Sequence, residues 1–191
     1  MMEMPTLKKG TIAIIEALQP VVMAFAIFMM VYLFLVQPHK VDGSSMFPNF
    51  HDREFILTDK ISYRKGLPER GDVIVFHAPD PYDSDFIKRI IGLPGETIMV
   101  QGGYVFINNQ KLSESYLPDS FMTSEKSFLR EGVPYSIPEG YYVVLGDNRN
   151  YSSDSREWGP IAQSAIVGKA WVRYWPVDEV GVIKHEKYQG F

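Results

Sequence analysis

No cysteine occurs among the 191 residues, which removes disulfide bridges, thiol nucleophiles, thiolate metal sites and iron–sulfur clusters together. Basic residues are not in excess either: 19 Lys and Arg stand against 23 Asp and Glu, for a formal charge of −4. A broad nucleic-acid footprint needs a basic face, so no nucleic-acid partner is expected. Residues 1–36 hold two lysines and two glutamates, so the acidity belongs wholly to residues 37–191. There is no G-x-x-x-x-G-K-[ST] loop and no G-x-G-x-x-G helix entry, which leaves phosphate-loop and dinucleotide chemistry without a motif. The histidines His39, His51, His77 and His185 stand at no paired ligand spacing, and His185-Glu186 lacks the second histidine of a zincin. No metal and no other cofactor is expected. A Ser–His–Asp triad could draw its members from anywhere, but no G-x-S-x-G elbow anchors one. Internal repeats and low-complexity tracts are also missing.

What is present begins with an apolar run. From Ala17 to Val36 there are 20 residues without a charge, about 30 Å of helix, the thickness of a bilayer hydrocarbon core. Pro20 lies near the start of this run and reads as a first-turn proline, where it is tolerated. Tyr32 suits the far interface. A core helix of this length would show a polar stripe, and none is visible. A cleaved signal peptide would be shorter and end in small residues, unlike Val36-Gln37-Pro38. The segment therefore reads as one transmembrane helix, with membrane lipid as a partner. Lys8 and Lys9 precede it while His39 and Lys40 come after it, so charge bias leans only weakly to a cytoplasmic N-terminus.

The remainder reads as mostly β. Strand-like runs are Glu54–Leu57, Asp72–Phe76, Asp85–Ile91, Thr97–Val100, Tyr104–Ile107, Tyr141–Leu145 and Ala165–Tyr174, separated by Gly, Pro and Asn turn signals. Asn108-Asn109 is expected to turn a hairpin. Residues 113–135 are polar and Pro-interrupted, like an insertion or long loop. Trp171 and Trp175 suit either the membrane interface or buried packing.

Three segments carry chemistry. In Val41-Asp-Gly-Ser-Ser-Met-Phe-Pro-Asn-Phe50, Gly43 permits a sharp bend and Pro48 stiffens the exit, so Ser45 sits on a constrained turn. Alone, this is equally a turn with an N-capping serine. In Asp85-Phe-Ile-Lys-Arg-Ile-Ile-Gly92, Lys88 and Arg89 interrupt an apolar strand and must point to opposite faces. One could be solvated while the other snorkels. Alternatively Lys88 is stripped of water. An ordinary lysine, with pKa near 10.4, is neutral about once in 2,500 at pH 7, a handicap of roughly 4–5 kcal/mol for a general base. Apolar burial can lower that pKa by about 3–5 units. The third segment, Leu145 to Arg156, packs two Arg, two Asp and three Ser behind a strand end. It reads as a solvated loop or as a hydrogen-bonded scaffold for a neighbouring site.

Together these segments resemble the bacterial type I signal peptidases, in their Gram-positive-like single-span form. The matching motifs are Gly43-Ser-Ser-Met-Phe-Pro48, Arg70-Gly-Asp-Val-Ile-Val-Phe76, Lys88-Arg-Ile-Ile-Gly-Leu-Pro-Gly95 and Gly146-Asp-Asn-Arg-Asn-Tyr-Ser-Ser-Asp-Ser-Arg156. The resemblance implies a Ser–Lys endopeptidase that removes signal peptides from preproteins after small A-x-A-like residues. Ser45 would be the nucleophile and Lys88 the base. Ser152 would hold the amine, Asp154 and Arg156 would brace the site, and Gly146 and Asn148 would support it. Substrate would add as a strand along the Gly43 turn and the Lys88 strand, against Val41, Gly43, Met46, Phe50, Phe86 and Ile87. The layout implied is residues 1–10 in the cytoplasm, 11–36 across the membrane and 37–191 as an extracytoplasmic β-rich catalytic domain. Gly43 stands where other members carry an oxyanion-binding serine, and Asn49 replaces their usual threonine. Rival readings are another Ser–Lys peptidase, such as a self-cleaving repressor, and an inactive anchored β module that binds extended peptides.

Overall fold

The computed structural model describes residues 9–79 and 81–188; the first eight residues of the expected cytoplasmic segment lie outside them. Helix α1 spans Lys9–Phe34, 26 residues and about 39 Å. Its stretch Ile14–Tyr32 is long and apolar enough to cross a membrane, and none of it is buried against the rest of the chain. Two expectations change here. Pro20 lies inside the helix and not in its first turn, so it withholds the N–H that Glu16 O would accept. Val36, expected in the helix, opens a strand instead.

That strand, β1 (Val36–Lys40), pairs antiparallel with β2 (Phe55–Asp59), which supplies the partner for its backbone groups. The further strands are β3 (Val73–His77), β4 (Asp85–Gly92), β5 (Thr97–Gln101), β6 (Tyr104–Ile107), β7 (Gln110–Lys111), β8 (Tyr135–Ser136), β9 (Tyr141–Leu145), β10 (Ile161–Ala162), β11 (Ile166–Trp175) and β12 (Gly181–Val182). The protein is mostly β, as expected. Among the described residues the larger sheet runs β1-β2-β11-β3-β4-β9-β10, with β12 beside β11, and the smaller runs β7-β6-β5-β8. Register shifts along β11 bend the larger sheet. The bend is strong enough that His39 of β1 touches Asp85 of β4, three intervening strands away.

Burial explains the sequence patterns. β3 and β9 are nearly continuous apolar runs because both of their faces are covered, whereas β2 and β5 alternate because one face is. Inside the curl, Val41, Met46, Phe50, Ile56, Val73 and Val75 form one core, with Ile87 packed against it. On the opposite face Ile74, Phe76, Ile90 and Val144 form a second. A third joins the smaller sheet to Ile91, Val143 and Leu145. The hairpin between β6 and β7 turns at Asn108 and Asn109, with φ of +50° and +66°, the conformation a two-residue turn of this hand requires.

Candidate active site

Ser45 lies on the turn that leaves β1. Gly43, at φ +89°, makes a bend that L side chains resist, and its N–H donates to Asp52 Oδ1 at 2.7 Å. Beyond the serine, Met46 and Phe50 sink into the core at 1% and 2% exposure and fasten the turn. Asn148 then grips the peptide itself. Its N–H donates to Ser45 O and its Nδ2 to Ser44 O, each at 3.0 Å. The Ser45 N–H makes no hydrogen bond among the described residues. Asn49 anchors the far end of the turn, donating from Nδ2 to Asp147 Oδ2 at 2.9 Å and to Tyr116 O at 3.1 Å. At this position, where the sequence departs from the usual threonine, the amide ties the turn to the polar segment and to residues 113–135.

Lys88 and Arg89 are both buried, at 3% exposure, so neither the solvated nor the snorkelling alternative holds. Lys88 Nζ lies 2.8 Å from Ser45 Oγ, donates to Ile87 O at 3.0 Å and sits 5.1 Å from the centre of the Phe86 ring. Burial strips its water and pulls its pKa down from 10.5 to about 8, against the pull of the Asp154 and Asp147 carboxylates. Arg89 turns the other way. Nε and Nη2 fork onto Asp147 at 2.9 and 2.7 Å, Nη1 donates to Gly71 O at 3.0 Å, and the guanidinium lies 4.1 Å from the centre of the Tyr116 ring.

The segment after β9 is a scaffold rather than a solvated loop. Asp154 and Arg156 are fully buried and paired in a fork at 2.9 and 2.8 Å. Burial pushes the Asp154 carboxyl up, but the Arg156 guanidinium and the Gly146 N–H outweigh it and hold the pKa below the usual carboxylate range. Arg156 also donates to Arg149 O at 2.7 Å and to Ser124 O at 3.1 Å. Gly146 has no room for a side chain: a Cβ there would lie 2.2 Å from Ser152 Oγ and 2.4 Å from Ser45 O. Ser152 is buried beside Asp154 and Gly146. Among the described residues its hydroxyl makes no hydrogen bond to Lys88 and none of ordinary geometry elsewhere. Of the expected substrate contacts, Phe86 and Ile87 are half-buried and Gly43 is exposed. Val41, Met46 and Phe50 belong to the core beneath, because the turn needs them as anchors, so they offer almost no open wall.

Several contributors were not singled out in the sequence. Arg149 is buried, donates to Gly146 O at 3.0 Å, and pairs with Glu114 and Thr123 from residues 113–135. Asp147, Glu114 and Tyr116 join it. The side-chain pairs of Arg149 with Thr123, Tyr116 and Glu114 and of Asp147 with Asn49 span 26 to 98 residues of the chain, and no local signal encodes such pairs. His51, Glu54 and Glu179 bring possible ligand atoms within 4.8 Å of one another, but Arg173 is paired with both carboxylates and already supplies the positive charge.

Comparison with known proteins agrees in one direction. Residues 14–175 match the family model described as signal peptidase, peptidase S26. A signal peptidase I from Leptolyngbya laminosa is 36% identical over 183 residues, covering 91% of this chain and 85% of the relative. A signal peptidase IB from Staphylococcus aureus is 36% identical over 177 residues, covering 87% and 92%. The crystal structure of a signal peptidase I from Enterococcus faecalis, 31% identical, covers 55% of this chain and 97% of that one at a TM-score of 0.44.

Proposed function

The chain belongs to the peptidase S26 family of signal peptidases, which are serine endopeptidases, and from that premise we propose that it removes signal peptides from secreted preproteins with Ser45 as nucleophile and Lys88 as general base. The observation that carries the reading is an amine 2.8 Å from a hydroxyl, buried on an apolar strand with no carboxylate bonded to it. Lowering the amine from 10.5 to about 8 removes about 3 kcal/mol of the cost of using it as a base at neutral pH.

In the proposed sequence, neutral Lys88 takes the Ser45 proton as Oγ bonds to the scissile carbonyl carbon. The resulting ammonium gives that proton to the leaving nitrogen as the C–N bond breaks. Neutral Lys88 then draws a proton from water, whose oxygen attacks the acyl carbon, and returns a proton to Ser45 Oγ as the ester opens. The free Ser45 N–H is a donor for the oxyanion.

Substrate would lie extended against β4. Ile90 exchanges backbone hydrogen bonds with the β3 side, through Asp72 O and Gly71 N–H. By two-residue alternation Asp85 and Ile87 therefore turn their backbone groups to the other edge, which β9 leaves open below Arg89. A strand added there would bring the two small side chains of an A-x-A-like site onto one face, that of Ile87. The unburied apolar helix supports a single membrane span, the half-exposed Trp171 and Trp175 suit contact with lipid, and we put the β domain outside the cytoplasm, where secreted preproteins emerge.

The test uses full-length protein in detergent with a preprotein. Ser45→Ala and Lys88→Met should each abolish cleavage while thermal unfolding stays cooperative; substantial activity in either sinks the dyad. An engineered cysteine in the β domain should react with an impermeant reagent on intact cells if the topology is as proposed.

A further inference from the structure

Where α1 meets the β domain, the chain encloses an apolar trough of about 590 Å³, within the range of ligand cavities. Its walls are Val31 and Leu35 at the end of the apolar run, Val36 of β1, Leu57 of β2, Ile61, and Trp171 of β11. These walls fix its level. Val31 lies inside the stretch that ends at Tyr32, and the Leu35 N–H donates to Val31 O at 2.9 Å, continuing the last turn. The trough therefore opens where hydrocarbon gives way to headgroups. Trp171, half-exposed, is an aromatic suited to that level.

The lip of the trough is basic. A one-turn helix, α2 (Ser62–Lys65), stands on it with Lys65 beside the trough. Arg64 and Lys60 line a smaller hollow of about 270 Å³ next to it. Lys60 donates to Gln37 Oε1 at 3.3 Å. Arg64 and Lys65 are exposed, and among the described residues neither has an ion-pair partner. The one acid lining the trough, Asp59, already accepts from the Ile61 N–H at 2.7 Å and from the Ser62 hydroxyl. Three cations between residues 60 and 65 thus reverse, locally, the sign of a chain whose net charge is −4.

An apolar slot at the membrane surface with unpaired cations on its lip fits a long chain carrying a negative head. We propose that the trough binds one anionic phospholipid, with an acyl chain along Leu57 and Trp171 and the headgroup held by Lys65 and Arg64. The proposal rests on α1 spanning a membrane and not on the chemistry at Ser45. A zwitterionic lipid brings its own ammonium to the lip, so the two cations favour a head with net negative charge. Val36 is both a wall of the trough and the first residue of β1, whose other end enters the Ser45 turn. A bound lipid therefore ties the strand that carries the nucleophile to the membrane surface.

The experiment titrates full-length protein in micelles of uncharged detergent with phosphatidylglycerol or phosphatidylcholine and counts retained lipid by native mass spectrometry. A second readout is quenching of Trp171, left as the only tryptophan by Trp158→Phe and Trp175→Phe, by lipids with brominated chains. One phosphatidylglycerol should be retained, preferred over phosphatidylcholine by about tenfold or more, and its brominated form should quench Trp171. Arg64→Gln with Lys65→Gln should abolish the preference, whereas Lys184→Gln with Lys187→Gln, which removes the same charge elsewhere, should keep it. Three results each overturn the site: no preference in the unsubstituted protein, equal loss in both double variants, or retention without quenching. Competition by glycerol phosphate as strong as by the lipid, or a dimer that shields Trp171 and retains no lipid, overturns it too. Protein that stays soluble without detergent and does not pellet with vesicles would instead remove the membrane span, so the two failures are separable.

Discussion

Lys88 and Arg89 are neighbours on one strand and equally removed from water, yet the protein treats the two sides of β4 in opposite ways. On the Arg89 side a forked carboxylate, a backbone carbonyl and an aromatic ring meet the guanidinium, and its pKa is raised despite burial. On the Lys88 side there is a hydroxyl, one carbonyl and a phenyl ring, and the amine's pKa falls. Depth of burial therefore does not decide whether a cation survives; the groups that meet it do. The Arg89 side is built to hold a charge and fix positions. The Lys88 side is built to let a charge go.

The largest effect should come from erasing that difference. Lys88→Arg keeps length and charge but cannot lose its proton; kcat/KM at pH 7 should fall by at least about ten-thousandfold, and a fall under a hundredfold would break the contrast. Next, Asp147→Ala leaves Arg89 buried and unpaired and should lower stability by about 3–5 kcal/mol, read from denaturant unfolding. The pH profile ranks third. Below about pH 8, kcat/KM should rise close to tenfold per unit as Lys88 deprotonates, then level off. A smaller effect is thermodynamic. Above pH 10.5 Lys88 is neutral both folded and unfolded and costs nothing. Between 10.5 and about 8 the unfolded chain binds a proton that the folded chain does not, so stability falls as pH is lowered. Below about 8 the cost is complete, so Lys88→Met should stabilise the protein at pH 7 by up to about 3 kcal/mol and leave it unchanged near pH 11. Smallest, Arg89→Lys keeps the charge but loses the fork, and should cost about 1–2 kcal/mol with catalysis largely retained.

What could be read from the sequence depends on the range of the forces involved. Alternation and continuous apolar runs marked β2, β3, β5 and β9, and the Asn108–Asn109 turn, because these depend on neighbours in the chain. β1 could not be read. Val36-Gln-Pro-His-Lys40 has no strand pattern, and it is a strand only because β2 offers it partners; Pro38 is tolerable because the strand lies at an edge. Met46 and Phe50 suited a pocket wall by type, and only packing reveals them as anchors of the turn. Ser45 and Lys88 were named through family resemblance, and no spacing rule brings together residues 43 positions apart. The forks of Arg89 on Asp147 and of Arg149 on Glu114 were equally out of reach.

The grip of Asn148 on the nucleophile turn has a directional consequence. In a trans peptide the C=O of one residue and the N–H of the next point opposite ways. Drawing the Ser44 carbonyl towards the Asn148 amide therefore aims the Ser45 N–H away from it, like the far end of a rocker held down on one side. That donor has its heading before any substrate arrives, and no dipole has to swing round when negative charge develops on the carbonyl oxygen.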